Sequence, residues 1–252
     1  MSKPPKVFSV LGLPVHVMTD YPGWLLERLQ KGMGTHVVTL NAEMTMQAEQ
    51  NPSLAQAIKS AELVIPDGAG VVLFLQWLRR QQVQRTPGIE LAEILLREIG
   101  KQGAGTKVFF YGGAPGVAAK AAEYWLAHIP NLFVAGTHSG FHSQSEAEQL
   151  RQTLAQIQPQ VIFVGLGVPR QELWIAQNRH LCPQAIWVGV GGSFDIWSGA
   201  KNRAPAWLGN NHLEWLYRLY KEPWRWRRML ALPKFALKSL VYGLTAKEAI
   251  GQ

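Results

Sequence analysis

Cysteine is nearly absent: Cys182 is the single one in 252 residues. That excludes a disulfide framework and a cysteine-based zinc site. Long apolar runs are missing too. No stretch approaches the roughly 18 apolar residues that a membrane-spanning helix needs. The apolar run near the start is interrupted by Gly12 and Pro14, so it reads as a first strand and not as a signal peptide. A reducing, cytoplasmic setting is the default expectation. The common nucleotide fingerprints are lacking as well. There is no Walker A pattern, and no G-x-G-x-x-G followed by an acidic residue about twenty positions on. The histidines have no H-E-x-x-H spacing and no D-x-D pair is present, so neither a metal nor a cofactor is expected. No repeat of solenoid length and no low-complexity tract occurs.

What the chain does have is alternation. Apolar β-branched runs (VFSVLG, VVTL, ELVIP, TKVFFYGG, LFVAGTH, PQVIFVG, AIWVGVGG) are separated by stretches with helical periodicity, at 22–31, 42–50, 54–61, 69–81, 88–100, 118–127, 145–158 and 172–181. This predicts an α/β fold, Rossmann-like, with a mostly parallel sheet covered by helices on both faces. After Gly199 the texture changes. No strand pattern follows, and Pro205, Pro223 and Pro233 punctuate short helical segments. The expected division is a catalytic body over 1–199 that folds by itself and a helical appendage over 200–252.

In a parallel sheet the turns that follow the strands lie together at the carboxyl edge, where open α/β sheets bind ligands. Thr39 and Asn41 bring a hydroxyl and an amide to one such turn, and Asp67 brings a carboxylate to the next. Asp67 reads as a general base, although the same residue also suits a helix cap or a plain Asp-Gly turn. Three glycine-rich turns, containing Gly112 and Gly113, Gly165 and Gly167, and Gly191 and Gly192, follow later strands. Such turns let backbone N–H groups approach a phosphate, or simply pack strand against helix. Together they suggest a crevice of phosphate or nucleotide size. Gln171 suits recognition of a hydroxyl or amide, and otherwise is an ordinary first-turn residue. Asp195 suits ribose hydroxyls or a base edge, and otherwise closes a turn. Cys182 reads as buried and inert.

Charge is lopsided. The net charge is +8, and residues 201–252 hold ten Lys and Arg against Glu214, Glu222 and Glu248. Trp207, Trp215, Trp224 and Trp226 are interleaved with those cations. An anionic membrane surface is the favoured partner, because Trp anchors at the bilayer interface and Lys/Arg attract headgroups. Single-stranded nucleic acid and a plain solvated cap are the competing readings. Arg218, Arg225 and Arg228 have a second use in prospect, neutralising a diphosphate leaving group.

Seven separated segments carry a family resemblance: TLNAE, PDGAGVV, RTPGIEL, FFYGGAPGVA, GLGVPRQELWI, GVGGSFDIWSGAKNRAPAW and LEWLYRLYKEPWRWRR. In this order, from about Val10 to Phe235, the chain resembles the WecG/TagA/CpsF glycosyltransferases. The resemblance implies a metal-independent inverting transferase. It moves an N-acetylmannosamine-type sugar from a UDP donor to a polyprenyl-diphosphate-linked amino sugar in cell-surface polysaccharide synthesis. The expected location is the inner face of the cell membrane, reached through an appendage that docks there and completes the site. By motif the catalytic aspartate is Asp67, the substrate-binding pair is Thr39 and Asn41, and the further binding residues are Arg85, Gln171, Arg218, Arg225 and Arg228. Gly140-Phe141-His142 departs from the Gly-Tyr-Phe that is frequent in the family. No nucleic-acid partner is implied, and a homo-oligomer stays open. The rival functions are a nicotinamide-dependent α/β enzyme and a non-enzymatic basic adaptor for membranes or nucleic acid.

Overall fold

The computed structural model describes residues 4–78, 80–103, 105–205, 208 and 214–248; the side chains of Glu214, Arg218, Arg225 and residues 243–248 lie outside that description. The first apolar run is indeed a strand, but not of the main sheet. β1 (Lys6–Val10) and β2 (Leu13–Val17) pair antiparallel as a hairpin. The link between them is only Leu11-Gly12, both at positive φ. A parallel crossover needs a dozen or more residues, so a link this short forces antiparallel pairing.

The six later strands make one sheet: β3 (Thr35–Leu40), β4 (Leu63–Pro66), β5 (Lys107–Gly112), β6 (Phe133–His138), β7 (Val161–Gly165) and β8 (Ile186–Gly189). Their order is β4-β3-β8-β7-β5-β6, and every neighbouring pair is parallel. β3 and β4 are buried at every position; β4 accordingly reads as an unbroken apolar run, and β3 buries Thr35, His36 and Thr39 among its apolar residues. The pleat sends alternate side chains to opposite faces. Val37, Ile65, Phe110, Phe163 and Val188 pack against α1 (Tyr21–Gln30), α5 (Gly88–Lys101), α6 (Val117–His128) and the short α9 (Ser193–Trp197). Val38, Leu40 and Val64 pack against α2 (Ala42–Gln50), α3 (Pro52–Lys59) and α4 (Ala69–Leu78). Tyr111, Val164 and Trp187 pack against α7 (Gln144–Ile157) and α8 (Arg170–Asn178). Each large side chain removed from water in this way contributes about 1.5–3 kcal/mol.

The hairpin shields the exposed edge of β4. The Val64 N–H donates to His16 Nδ1 at 2.9 Å, which occupies a backbone donor that would otherwise invite another strand. Beyond Gly199 the described residues hold only helical elements: α10 (Glu214–Lys221), a 3-10 turn (Pro223–Arg225), α11 (Trp226–Met229) and α12 (Ala231–Glu248). α12 is seated on the body. Phe235 is buried in the same cluster as Phe74, with ring centroids 6.2 Å apart, and Lys238 pairs with Glu49 of α2. No helix among the described residues is long and apolar enough to cross a membrane.

Candidate active site

Because all six strands run the same way, the turns after them converge on one edge of the sheet. There they line a cleft of about 970 Å³ together with residues of α10, α11 and the 3-10 turn. At one end of the cleft, Thr39 and Leu40 sit in register with Ile65 and Pro66, so Asn41 and Asp67 emerge side by side. Asn41 Oδ1 caps α2 by accepting the Met44 N–H at 2.9 Å. Only its amide nitrogen is left to point donors elsewhere. Thr39 is nearly buried against Gly88, where a β-carbon would lie 2.7 Å from Thr39 Cγ2. Glycine at the start of α5 therefore makes room for the threonine beside the cleft.

The Asp67 N–H donates to the Leu40 carbonyl at 3.0 Å, which fixes the turn. Its side chain is 23% exposed and belongs to the cleft wall. Arg85 braces it from the turn before α5. Arg85 Nε donates to the Asp67 carbonyl oxygen at 2.7 Å, and Nη2 lies 3.9 Å from Oδ1. One guanidinium thus holds the backbone of Asp67 and sets a positive charge beside its carboxylate.

The glycine turns occupy the middle of the edge, and the amides of Gly113, Gly167 and Gly191 are bonded within the fold. Gly112 does not line the cleft. At φ +139, a β-carbon there would meet the Gly165 carbonyl oxygen at 2.4 Å, so glycine lets the ends of β5 and β7 close together. Gly113 lines the cleft, yet its N–H donates to the Gly165 carbonyl at 3.0 Å. The N–H groups of Gly167 and Gly191 both donate to Gln171 Oε1, at 3.2 and 3.0 Å. Gly113 and Gly191 line the cleft, with their amides bonded within the fold. These glycines contribute space and curvature, and their donors serve the protein. Gln171 also lines the cleft. It is 1% exposed, and its Nε2 donates to Glu172 Oε1 at 2.8 Å, so both ends of the amide are engaged within the fold.

Asp195, in α9, lines the cleft and pairs with Lys201 at 3.0 Å; Lys201 in turn reaches Glu222 at 2.9 Å. Arg228 also lines the cleft, where its Nε meets Glu43 Oε1 at 2.5 Å. The side chains of Arg218 and Arg225 are outside the described residues, as is Trp207. Among the described residues no group of three or more His, Cys, Asp or Glu is arranged to hold a metal ion.

Residues 8–249 match the family model described as Glycosyl transferase WecG/TagA/CpsF family. The chain belongs to this family. It is a glycosyltransferase, and it resembles two curated proteins, each named N-acetylglucosaminyldiphosphoundecaprenol N-acetyl-beta-D-mannosaminyltransferase. The one from Bacillus spizizenii (strain ATCC 23059 / NRRL B-14472 / W23) is 39% identical over 220 residues, covering 87% of this chain and 81% of the relative. The one from Bacillus subtilis (strain 168) is 34% identical over 212 residues, covering 84% and 81%.

In this glycosyltransferase several residues in and behind the cleft carry no local sequence signal. Lys201 lies inside the motif GAKNRAPAW, but its two acidic partners are set by tertiary packing. Glu43 gives away only its place in the first turn of α2; that it faces Arg228 depends on how α11 is seated. Glu172 is the least legible. It stands in an ordinary helical position, yet it is fully buried, and burial pushes its carboxyl up to about 7. Cys182 is as expected: buried, with its Sγ toward the Leu154 carbonyl and its thiol pushed up to about 11 by burial.

Proposed function

We propose that this transferase moves an N-acetylmannosamine-type sugar from a UDP donor to a polyprenyl-diphosphate-linked N-acetylglucosamine, by a single inverting displacement, in cell-surface polysaccharide synthesis. The observation that carries the reading is the Asp67 carboxylate, held on the wall of the cleft by Arg85 at a strand tip beside Asn41. The acceptor class comes from the names of the two relatives.

In the proposed step an acceptor hydroxyl attacks the anomeric carbon of the donor. The new C–O bond forms as the bond to the diphosphate breaks, and Asp67 takes the hydroxyl proton. UDP leaves with the electron pair. Thr39 and the Asn41 amide nitrogen orient the sugars, which converts loose encounter into a near-attack arrangement. Arg228, joined by Arg218 and Arg225, neutralises the departing diphosphate, in the place a divalent metal fills elsewhere. Asp195 holds the nucleoside side of the donor. Gln171 acts in the wall, by tying the turns after β7 and β8.

Residues 200–252 serve in this reading as the membrane-docking appendage, at the inner face of the cell membrane. Tyr220, Trp224, Trp226 and Leu237 are largely exposed there, beside Lys221, Arg227 and Lys234. That composition suits an interface between headgroups and acyl chains.

The test is Asp67→Asn, which keeps the shape and removes the base. Transfer from UDP-N-acetylmannosamine to a short-chain lipid-diphosphate acceptor is expected to fall in kcat by about 100-fold or more, with KM for the donor little changed. Activity near wild type would remove the base assignment.

A further inference from the structure

Behind the cleft wall lies a carboxyl group that the proposed transfer does not use. Glu172 stands in the first turn of α8 and has no exposed surface. Its Oε1 accepts the bond from Gln171 Nε2, and its Oε2 has no hydrogen-bond partner among the described residues. Gln171 in turn gathers the Gly167 and Gly191 amides on its oxygen. The end of β8 is shaped to admit this pair. A β-carbon on Gly189 would lie 2.5 Å from Gln171 Nε2 and 3.0 Å from Glu172 Oε1.

We infer that Glu172 is a positioning residue whose proton is coupled to nucleoside-diphosphate binding. Neutral, it holds Gln171 so that the turns after β7 and β8 form an uncharged wall. Ionised, it sets an uncompensated negative charge one side chain behind the place where a diphosphate sits. This rests on the proposed reading of the cleft as the UDP-donor site.

Among the described residues, the elements packed against α8 supply no counter-charge. α8 packs against α3, β3, β7 and β8. α3 offers only Lys59, exposed at its end. β3 offers only His36, which burial holds down to about 4 and therefore neutral near pH 7. β7 and β8 offer no ionisable group. On α8 itself Arg170 turns outward to the Leu166 carbonyl; in the 3-10 turn Arg179–Leu181 that follows, Arg179 pairs with Glu62 and His180 is exposed. Burial is the chief cause that raises the carboxyl to about 7. A bound diphosphate raises it further, and by linkage protonation strengthens diphosphate binding by the same factor.

The experiment is titration calorimetry with UDP on the full chain at pH 7.5, in two buffers of different ionisation enthalpy, comparing wild type with Glu172→Gln. The glutamine keeps an acceptor oxygen for Gln171 and has no proton to exchange. UDP's own titration is common to both proteins and cancels. Wild type is expected to take up more protons per UDP than the variant, and its Kd is expected to weaken several-fold more between pH 6.5 and 8.5. Glu172→Met, which removes the acceptor, is expected to weaken UDP roughly tenfold already at pH 6.5. Equal proton uptake and parallel pH profiles in wild type and Glu172→Gln overturn the coupling. Unchanged affinity in Glu172→Met overturns the positioning role. Absence of UDP binding by the wild type is a different outcome: it sinks the donor reading, and this inference with it.

Discussion

Glu172 keeps its proton to about pH 7 because ionising it would bury a charge. The unfolded chain, with an ordinary glutamate near 4.5, has already lost that proton at lower pH. Between the two values the folded protein therefore binds more protons, so stability falls as pH rises through this window. At about 1.4 kcal/mol per unit, the penalty reaches on the order of 3 kcal/mol above pH 7. Glu172→Gln is thus expected to be more stable than wild type at pH 8.5, by roughly 1–3 kcal/mol, and close to it at pH 5. Urea unfolding at the two pH values measures this. Buried His36 and half-buried His16 act in the opposite sense. His36 is held down to about 4, by burial first and then by the charge of Arg179, and His16 is lowered by burial. Both must stay neutral in the fold, so their contribution is present above about 6.5 and drains away as pH falls. The transferase is squeezed from the acid side by histidines and from the alkaline side by one glutamate.

At the scale of elements, two devices set the cleft. The first is the hairpin on the edge of the sheet, where the bond from Val64 N–H to His16 Nδ1 needs an unprotonated nitrogen. His16→Ala leaves that edge donor without its partner, and is expected to cost about 1–3 kcal/mol. Amide exchange at Val64 and the urea midpoint read the loss, and the deficit relative to wild type should shrink toward acid pH, where His16 itself protonates. The second device is the closing of β5 on β7. Gly112→Ala adds a β-carbon at positive φ against the backbone of Gly165, with no flexible side chain to yield. The expected cost is about 2–4 kcal/mol from strain and overpacking together. Because β7 leads into the turn that Gln171 ties, UDP affinity should fall with it. A variant that melts earlier yet binds UDP unchanged would separate the strand ends from the cleft wall.

For the molecule as a whole, the parallel sheet was legible in the sequence because buried strands read as plain apolar runs, bounded by helical stretches of the right length. Topology then put every strand-following turn on one edge, so Thr39, Asn41, Asp67, Gly113, Gly191 and Asp195 share a cleft. What spacing does not encode is where a hydrogen bond goes once the chain is folded. The Gly191 amide and the Gln171 side chain look like ligands in the sequence and satisfy each other in the structure. The first strand belongs to a hairpin for a similar reason: its pairing depends on a two-residue link, not on its apolar pattern. Nor did the basic tail announce how firmly it is seated. Phe235 is buried beside Phe74, and Arg228 and Lys238 pair with Glu43 and Glu49 of α2. Cutting the chain after Gly199 would uncover that core, so the body is not expected to fold cleanly without α12. Membrane docking is therefore better tested by replacing outward side chains in the full protein. Tyr220, Trp226 and Leu237 are exposed, do not line the cleft and take no part in the buried cluster around Phe235. Changing all three to Ser should leave the urea midpoint nearly unchanged, since surface substitutions usually stay within about 0.5 kcal/mol. Vesicle binding should respond much more strongly. Wild type is expected to sediment with vesicles containing anionic lipid, and to be released as salt rises and the screening length drops below about 10 Å. The triple variant should lose at least tenfold in partitioning while transfer to a water-soluble short-chain acceptor persists. If it sediments as wild type does, the aromatic face of the appendage is not what meets the bilayer.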